Sequence, residues 1–300
     1  MAIQNSLQKS KGNQRLGITA YLTGDAVKNQ INQVVGGKNG QRFISAIVSA
    51  VNTNPTLQEC TNQSILSGAL LGESLKLSPS PQLGHYYLVP FNDKTKGKVA
   101  QFQMGYKGYI QLAIRSGQYK KINVIAVKEG ELEYFDPLNE EIKINMMIDK
   151  WDEREAAPTI GYYAMFELVN GFRKAIYWSK AQMEAHALKY SPGYKKDRRD
   201  GSNHTFWSKD FDGMAYKTML RQLISKWGIM SIDMQSAIDA DMAVINEDGS
   251  KDYVDNDDSI IDAEPPQSAE PQPEPRQEAE KKPETTQQPT DAQMALFGNK

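Results

Sequence analysis

A break in composition near Asn246 limits how much of this 300-residue chain can build a hydrophobic core. Beyond it, acidic residues, proline, glutamine and alanine dominate up to Thr290. Such a segment buries too little apolar surface to offset the entropy of ordering its backbone. We therefore predict a disordered acidic tail over residues 247–300. Its apolar end, from Ala292 to Gly298, fits either a docking peptide or an ordinary chain end.

The same break divides the chain into a basic part and an acidic part. Their net charges nearly cancel, which leaves a total of −2. The tail holds 14 acidic and 5 basic residues, a net charge of −9, which leaves 23 acids and 30 bases, a net charge of +7, in the first 246 residues. A basic body with an acidic tail is typical of nucleic-acid-binding proteins. It is equally typical of a soluble globular protein with a solubilising tail, so charge alone leaves both interpretations open.

The single cysteine and the N-terminus indicate the compartment. Cys60 has no partner for an internal disulfide, which fits a reducing cytoplasm. No apolar run reaches the roughly 18 residues of a membrane span, and residues 1–15 lack the apolar centre of a signal peptide. We predict a cytoplasmic protein without membrane contact that begins with a flexible basic arm over residues 1–22.

Hydrophobic periodicity predicts an α+β body over residues 23–246. Helices are predicted over residues 27–35, 43–51, 62–75, 107–116, 179–190, 207–227 and 234–244. Strands are predicted over residues 85–91, 99–104, 122–127, 132–135, 159–168 and 172–178. A Gly/Lys/Arg-rich loop is predicted over residues 191–204. The predicted architecture is a small, mainly antiparallel sheet with helices before and after it.

The sequence lacks the usual motifs of an enzyme. It has no Gly-x-x-x-x-Gly-Lys-Ser/Thr and no Gly-x-Gly-x-x-Gly pattern, so no nucleotide-binding loop is predicted. His85, His186 and His204 do not lie at metal-ligand spacing. His186 falls on the apolar side of its helix, where we expect it to be packed. We predict neither a catalytic residue nor a metal ligand.

Two groups of carboxylates keep a metal-dependent nuclease as a third alternative. Glu129, Glu131 and Glu133 alternate along the chain, which is typical of the solvated face of a strand. Asp210 and Asp212 lie about 200° apart on a helix, so they cannot share one ion without other ligands. Neither group by itself predicts a metal site.

Basic residues recur through the predicted body. Repeated cations suit a phosphate backbone, because counterion release supplies most of the sequence-independent affinity for DNA. Each pair taken singly is also what an ordinary solvated face shows. The candidate phosphate contacts, with one glutamine on the same helical stripe, are Lys107, Gln111, Arg115, Lys120, Lys121, Lys195, Lys196, Arg198, Arg199, Lys217 and Arg221.

Aromatic residues are interleaved with these cations and could stack on the bases of a single strand. Tyr190 and Tyr194 bracket the lysine-rich segment, and they are the stacking candidates. For Tyr87, Tyr109 and Trp207 we predict packing in the core or in a hairpin instead.

Six motifs follow one another in order through this body. They are Leu75-x-Leu77-Ser-Pro79, Gly84-His-Tyr-Tyr-Leu-Val-Pro-Phe91, Met104-Gly-Tyr-Lys-Gly-Tyr109, Arg115-Ser-Gly117, Lys189-Tyr-Ser191 and Phe206-Trp-x-x-Asp210-Phe-Asp-x-Met214-Ala-x-Lys217-Thr-x-x-Arg221. Together they resemble the RecT family of phage recombinases over roughly residues 30–227. Several motifs in order are far more specific than any single one.

The resemblance implies a fold of the RecT and Red-beta kind and a function. Such proteins bind single-stranded DNA without ATP and anneal it to its complement, giving an annealed duplex, in phage-type homologous recombination and DNA repair. Rings and helical filaments are typical of them. The resemblance also implies phosphate contacts at Lys107, Arg115, Lys189, Lys217 and Arg221. Residues 23–246 are then expected to form a domain for DNA binding, annealing and oligomerisation.

The resemblance also implies partners inside the bacterial host cytoplasm. A 5′→3′ exonuclease supplies the strand, and the acidic C-terminal region is the expected docking site for partner proteins, with host single-strand binding protein as one candidate. Residues 1–54 are a hypothetical docking element between copies. No cofactor is expected, although Mg²⁺ as a modulator of DNA binding stays an option.

One rival from another class stays open. A structural or interaction protein could form the same oligomers without any need for DNA. Acceleration of strand pairing separates the two hypotheses, because only an annealing protein accelerates it.

Overall fold

Helices open the fold, which is described by a computed structural model over residues 17–93 and 95–253. The first helices are α1 (Ile18–Thr23), α2 (Asp25–Val35), α3 (Gly37–Asn52) and α4 (Asn62–Ser74), with a 3₁₀ helix at Pro55–Glu59. Thr61 begins α4, because its hydroxyl accepts a hydrogen bond from the amide of Ser64.

The predicted arm over residues 1–22 overlaps α1, so its boundary was wrong. Leu22 is fully buried, and the Tyr21 hydroxyl donates to Oε1 of Gln63 at 2.6 Å. Residues 18–22 are therefore helical and packed against the body. Residues 1–16 lie outside the described part of the chain.

Nine strands form three antiparallel sheets in the described residues. They are β1 (Tyr86–Asp93), β2 (Gly97–Met104), β3 (Tyr119–Lys128), β4 (Leu132–Asp136), β5 (Glu141–Ile144), β6 (Thr159–Leu168), β7 (Arg173–Ser179), β8 (Ala243–Ile245) and β9 (Lys251–Tyr253). The sheet orders are β1-β2-β8-β9, β3-β6-β7 and β4-β5. The predicted α+β class with antiparallel pairing is confirmed, whereas the division into three sheets was not predicted.

The remaining helices pack around these sheets. They are α5 (Tyr106–Arg115), α6 (Trp151–Ala156), α7 (Lys180–Tyr190), α8 (Pro192–Asp200), α9 (Phe206–Lys209), α10 (Phe211–Trp227) and α11 (Ile232–Ala240). The loop predicted over residues 191–204 was wrong, because α8 fills most of it. Ser191 caps the helix, Pro192 takes its first position, and Gly201 ends it with a left-handed φ of 66°.

The folded body also extends past its predicted end at Asn246. Strand β8 pairs with β2 through Phe102 and Ala243, and β9 turns back onto β8. Residues 247–253 therefore belong to a hairpin rather than to the predicted tail. Residues 254–300 lie outside the described part, so the disordered tail and its docking peptide stay predictions.

Gly105 and Gly108, the two glycines of the Gly-Tyr-Lys-Gly-Tyr motif, both lie against the backbone of residues 84–85. The Gly105 amide donates to the His85 carbonyl at 2.9 Å, and the backbone at residues 84–85 runs directly over the start of α5. A Cβ added at Gly105 would lie 2.1 Å from the Gly84 oxygen, and one at Gly108 would lie 2.1 Å from the His85 oxygen. Glycine therefore allows β1 and α5 to approach closely.

Replacing Gly108 with alanine is expected to lower the free energy of unfolding by about 1–3 kcal/mol. The clash is with backbone, which has little freedom to move, and it outweighs the higher helix propensity of alanine. Urea unfolding measures the change. Gly37→Ala is the matched control, because Gly37 lies in α3 with nothing within 4 Å of its added Cβ. Equal stability of the two variants would contradict the prediction.

Candidate nucleic-acid interface

A buried carboxylate, Asp241, lies beside two of the candidate cations, Lys217 and Arg221. Its Oδ1 lies 2.8 Å from Nζ of Lys217 and accepts from the Met104 amide at 2.9 Å. Its Oδ2 accepts from the Tyr109 hydroxyl at 3.0 Å and lies 3.8 Å from a guanidinium nitrogen of Arg221. This network joins β2, α5, α10 and the end of α11.

Lys217 is buried, which argues against its predicted role as a phosphate contact, and that role stays a prediction. Its side chain is only 8% exposed and its ammonium is paired with Asp241. Because a buried lysine needs a compensating charge, this pair is part of the core. Arg221 differs from Lys217, since 39% of its side chain is exposed and its ion pair with Asp241 is long.

Helix α5 presents the first group of accessible cations. Lys107 is exposed, with Nζ 6.0 Å from the centre of the Tyr106 ring, and Gln111 is partly buried. Arg115 is exposed too, but its guanidinium donates to the carbonyls of Leu75 and Lys76 at the end of α4. Lys107 therefore fits the predicted role best, and Arg115 also has a structural one.

The two cations of α5, Lys107 and Arg115, both affect the pKa of His85. Nδ1 of His85 accepts from the Ser78 amide at 3.2 Å. Burial lowers the pKa of His85, and the positive charges of Arg115 and Lys107 lower it further. The segment between α4 and β1 thus lies near two cations, Arg115 and Lys107, an arrangement that suits a phosphate.

A second group lies on α7 and α10. The ring of His186 packs between Trp178, at 5.3 Å, and Tyr190, at 4.6 Å between centres, as predicted for a packed histidine. Burial lowers the pKa of His186, and the charges of Arg221 and Lys189 lower it further. Lys189 on α7 and Arg221 on α10 therefore both lie near His186.

Tyr190 stands at the edge of this second group. Its ring is 62% exposed, and Nζ of Lys189 lies 5.1 Å from its centre. An exposed ring beside cations keeps Tyr190 as a candidate for base stacking. Tyr194 is buried against Trp207 and Phe211, which argues against its predicted stacking role. Trp207 itself is buried, as predicted.

The other candidate cations are exposed but mostly paired. Lys120 and Lys121 lie 2.5 and 3.6 Å from the carboxylate of Glu167. On α8, Arg198 pairs with Glu184 at 3.2 Å and Arg199 with Asp200 at 2.8 Å. Lys195 and Lys196 are also exposed on this helix. Exposed ion pairs contribute little to stability, so these cations can exchange partners at low cost.

Helix α8 is held by a second buried carboxylate. Asp197 accepts from the hydroxyls of Ser202 and Ser208 at 2.8 and 2.6 Å, and from the amides of His204 and Thr205 at 3.1 and 2.8 Å. Burial raises its pKa, but these hydrogen bonds outweigh burial and lower the pKa to about 2. Asp197 therefore stays charged and ties α8 to α9.

A cavity of about 220 Å³ opens between these elements. Tyr87 and Phe206 form one wall, with ring centres 5.9 Å apart. Tyr87 is half-buried there, whereas Tyr109 is fully buried as predicted. The residues that line the cavity are Tyr87, Gln103, Met104, Gly105, Tyr106, Phe206, Asp210, Gly213, Met214 and Lys217.

The carboxylates considered for a nuclease have other roles. Glu131 does not lie on a solvated strand face, because it is fully buried and its Oε1 lies 2.6 Å from Nε of Arg154. Asp210 caps α10 by accepting from the Gly213 amide at 2.9 Å, and Asp212 accepts from the Tyr162 hydroxyl at 2.6 Å. Residues 17–93 and 95–253 contain no group of three His, Cys, Asp or Glu side chains that could hold a metal ion.

None of the helices in the described part of the chain is long and apolar enough to cross a membrane.

Comparison with known proteins gives consistent matches. The RecT family model matches residues 41–257. The protein YqaK of Bacillus subtilis (strain 168) is 41% identical over 274 residues, which cover 88% of this chain and 87% of YqaK. Protein RecT of Escherichia coli (strain K12) is 28% identical over 246 residues, which cover 78% of this chain and 86% of that protein.

Proposed function

Because this chain belongs to the RecT family, we propose that it binds single-stranded DNA and anneals complementary strands in recombination without ATP. The observation that carries the proposal is the match of the family model over residues 41–257, which include the helices that present the accessible cations. Family membership suggests single-strand annealing in recombination. Independence from ATP and the residues in contact with DNA are our proposals.

The accessible cations would act by lowering repulsion between strands. Two DNA strands repel each other because both are polyanions, and fixed lysine and arginine side chains reduce that repulsion by releasing counterions. Lys107 and Arg115 on α5 would hold one stretch of backbone, and Lys189 and Arg221 another. Tyr190 would stack on a base between phosphate contacts.

Pairing itself needs no chemical energy source. Base stacking supplies about 1.4 kcal/mol per base-pair step once the complement is in register. No covalent bond changes in this process, so the protein needs neither a catalytic residue nor a nucleotide cofactor. Mg²⁺ would modulate binding only by competing for phosphates.

We extend the proposal to assembly and partners. Copies of the chain would form a ring or a helical filament, so that cations of neighbouring copies follow one strand. A 5′→3′ exonuclease would supply that strand in the bacterial cytoplasm during phage-type recombination and DNA repair. The acidic C-terminal region would bind partner proteins, host single-strand binding protein among them.

Strand pairing without ATP tests the proposal directly. Two complementary oligonucleotides that carry a fluorophore and a quencher are mixed with the full chain at several salt concentrations. We expect faster quenching at low salt than without protein. Stable oligomers with no acceleration would favour the structural rival, and loss of labelled DNA on addition of Mg²⁺ would favour a nuclease.

Replacing Lys107 and Lys189 with alanine should weaken binding and flatten its salt dependence. Each phosphate contact on single-stranded DNA contributes about 0.7 to the slope of log affinity against log salt, so the double variant should lose about 1.4. Fluorescence anisotropy with labelled oligo-dT measures the slope. Lys143→Ala is the control, since Lys143 is an exposed lysine of β5 outside both groups. An unchanged slope in the double variant would exclude these lysines from the interface.

A further inference from the structure

We propose that the 220 Å³ cavity holds one unpaired nucleobase per copy of the chain and prefers a base with an exocyclic amino group. This inference rests on the proposed binding of single-stranded DNA. It adds a base-binding site, with a stated preference, to the phosphate contacts argued above. The cavity is smaller than the roughly 300–1,000 Å³ of drug-sized ligand sites, which suits a single ring system.

Aromatic walls make the cavity suitable for a planar ring. The rings of Tyr87 and Phe206 lie 5.9 Å apart at an angle of 36°, and Tyr106 lies on the lining and packs edge-on against Tyr216 at 5.5 Å. The three lining rings, Tyr87, Tyr106 and Phe206, are only partly buried, so part of each side chain is accessible. Stacking on such rings contributes about 1–3 kcal/mol per base.

The polar groups of the cavity favour a base over a phosphate. Burial raises the pKa values of Tyr87 and Tyr106, and the negative charge of Asp210 raises them further, which places this carboxylate close to both rings. Lys217 also lines the cavity, but its ammonium is paired with Asp241 at 2.8 Å. A phosphate entering the cavity would meet the carboxylate of Asp210, which disfavours a second anion there.

Lys107 places the phosphate of the same nucleotide outside the cavity. Its exposed Nζ lies 6.0 Å from the ring centre of Tyr106, which is itself a lining residue. A backbone that passes Lys107 would thus lie beside the cavity opening. The geometry then separates the two halves of a nucleotide, with the base among the aromatic rings and the phosphate on the lysine.

The carboxylate of Asp210 sets the base preference. An ionised carboxylate only accepts hydrogen bonds. It can therefore bind the N4 amino group of cytosine, whereas thymine presents its O4 acceptor at the same position. That amino group is also used in Watson–Crick pairing. An arriving complement would compete with Asp210 for the base and release it as the duplex forms.

The test compares oligo-dC with oligo-dT of equal length at neutral pH, using the full chain and fluorescence anisotropy. We expect oligo-dC to bind at least about fivefold more tightly. Asp210→Asn should remove this preference, because an amide can both donate and accept. Asparagine also caps helices well, so α10 keeps its N-terminus. Asp233→Asn, the same change at an exposed residue of α11, should leave the preference intact.

A second variant tests the aromatic wall. Phe206→Leu keeps an apolar side chain but removes a stacking face, and it should weaken binding of both oligonucleotides by at least about fivefold. Failure of the full chain to bind either oligonucleotide would overturn the proposed function. Binding without a preference, a preference that survives Asp210→Asn, or unchanged affinity in Phe206→Leu would overturn the base site alone.

Discussion

Replacing Asp241 with asparagine is expected to lower the free energy of unfolding by about 3–5 kcal/mol. The substitution leaves the ammonium of Lys217 inside the body without its partner, and it removes the ion pair with Arg221. A charge that is buried and unpaired costs far more than the loss of an exposed ion pair. The asparagine oxygen can still accept from the Met104 amide, but an NH2 group replaces the Oδ2 acceptor of the Tyr109 hydroxyl, so the loss combines the missing charge with one altered hydrogen bond.

Urea unfolding followed by tryptophan fluorescence measures this loss. Asp233→Asn removes the same charge from an exposed position and should change stability by less than about 0.5 kcal/mol. Adding Lys217→Met to Asp241→Asn should recover part of the loss, because no unpaired ammonium then stays buried. A loss below about 1 kcal/mol in the single variant would show that Lys217 finds water or another partner.

Replacing Arg154 with methionine is expected to have a comparable effect, a loss of about 3–5 kcal/mol near pH 7. The guanidinium lies 2.6 Å from Oε1 of Glu131 and donates to the Ala126 carbonyl at 2.9 Å. Without it, Glu131 keeps only the amides of Lys128 and Met147 as donors, at 2.8 and 3.2 Å. The link between α6 and the turn after β3 would weaken.

The pH dependence of this loss identifies its cause. Burial raises the pKa of Glu131, but hydrogen bonds from Arg154 and two amides outweigh burial and lower the pKa below its usual value. In the native chain the ionised Glu131 side chain stabilises the folded state at pH values above its pKa in the unfolded chain. This stabilisation disappears as the pH falls through the lower pKa that Glu131 has in the folded chain. In the variant Glu131 has lost the hydrogen bonds from Arg154. Fewer hydrogen bonds then oppose the effect of burial, so the pKa of Glu131 in the folded chain rises.

The difference in unfolding free energy between the native chain and the Arg154→Met variant should therefore shrink as the pH falls towards about 4. At that pH Glu131 of the variant takes up a proton and is no longer an unpaired charge. Unfolding free energies of both chains at a series of pH values give the difference. Arg173→Met, the same change at an exposed arginine of β7, should show a small deficit that does not vary with pH. A pH-independent deficit at position 154 would point to lost packing rather than to charge.

Local periodicity accounts for the elements that sequence reasoning predicted well. The alternation in residues 85–91 and 99–104 predicted a hairpin, and the structure pairs Tyr86 with Met104 and Phe91 with Val99. Helix α8 was missed because its many charges suggested a loop. The signals for the helix were present in Ser191, Pro192 and Gly201, at its two ends.

The candidate site was predicted only in part, because charge on a helix does not reveal which side faces the core. Lys107 and Lys189 are exposed as a DNA contact requires, whereas Lys217 turns inward to Asp241. Asp241 was missed because its partners lie 24 and 137 residues away along the chain. A lone acid in the apolar run Ala240-Asp-Met-Ala-Val-Ile245 was the signal that could have found it.

The pairing of β2 with β8 has a consequence for how the protein is made. Strand β2 is complete at Met104, but the ribosome supplies its second neighbour, Ala243, about 140 residues later. At typical elongation rates of about 5–20 residues per second, one edge of β2 is left open for many seconds of synthesis. An open edge is a template for pairing with another chain. Nascent chains that stall before β8 emerges are therefore the ones most exposed to aggregation.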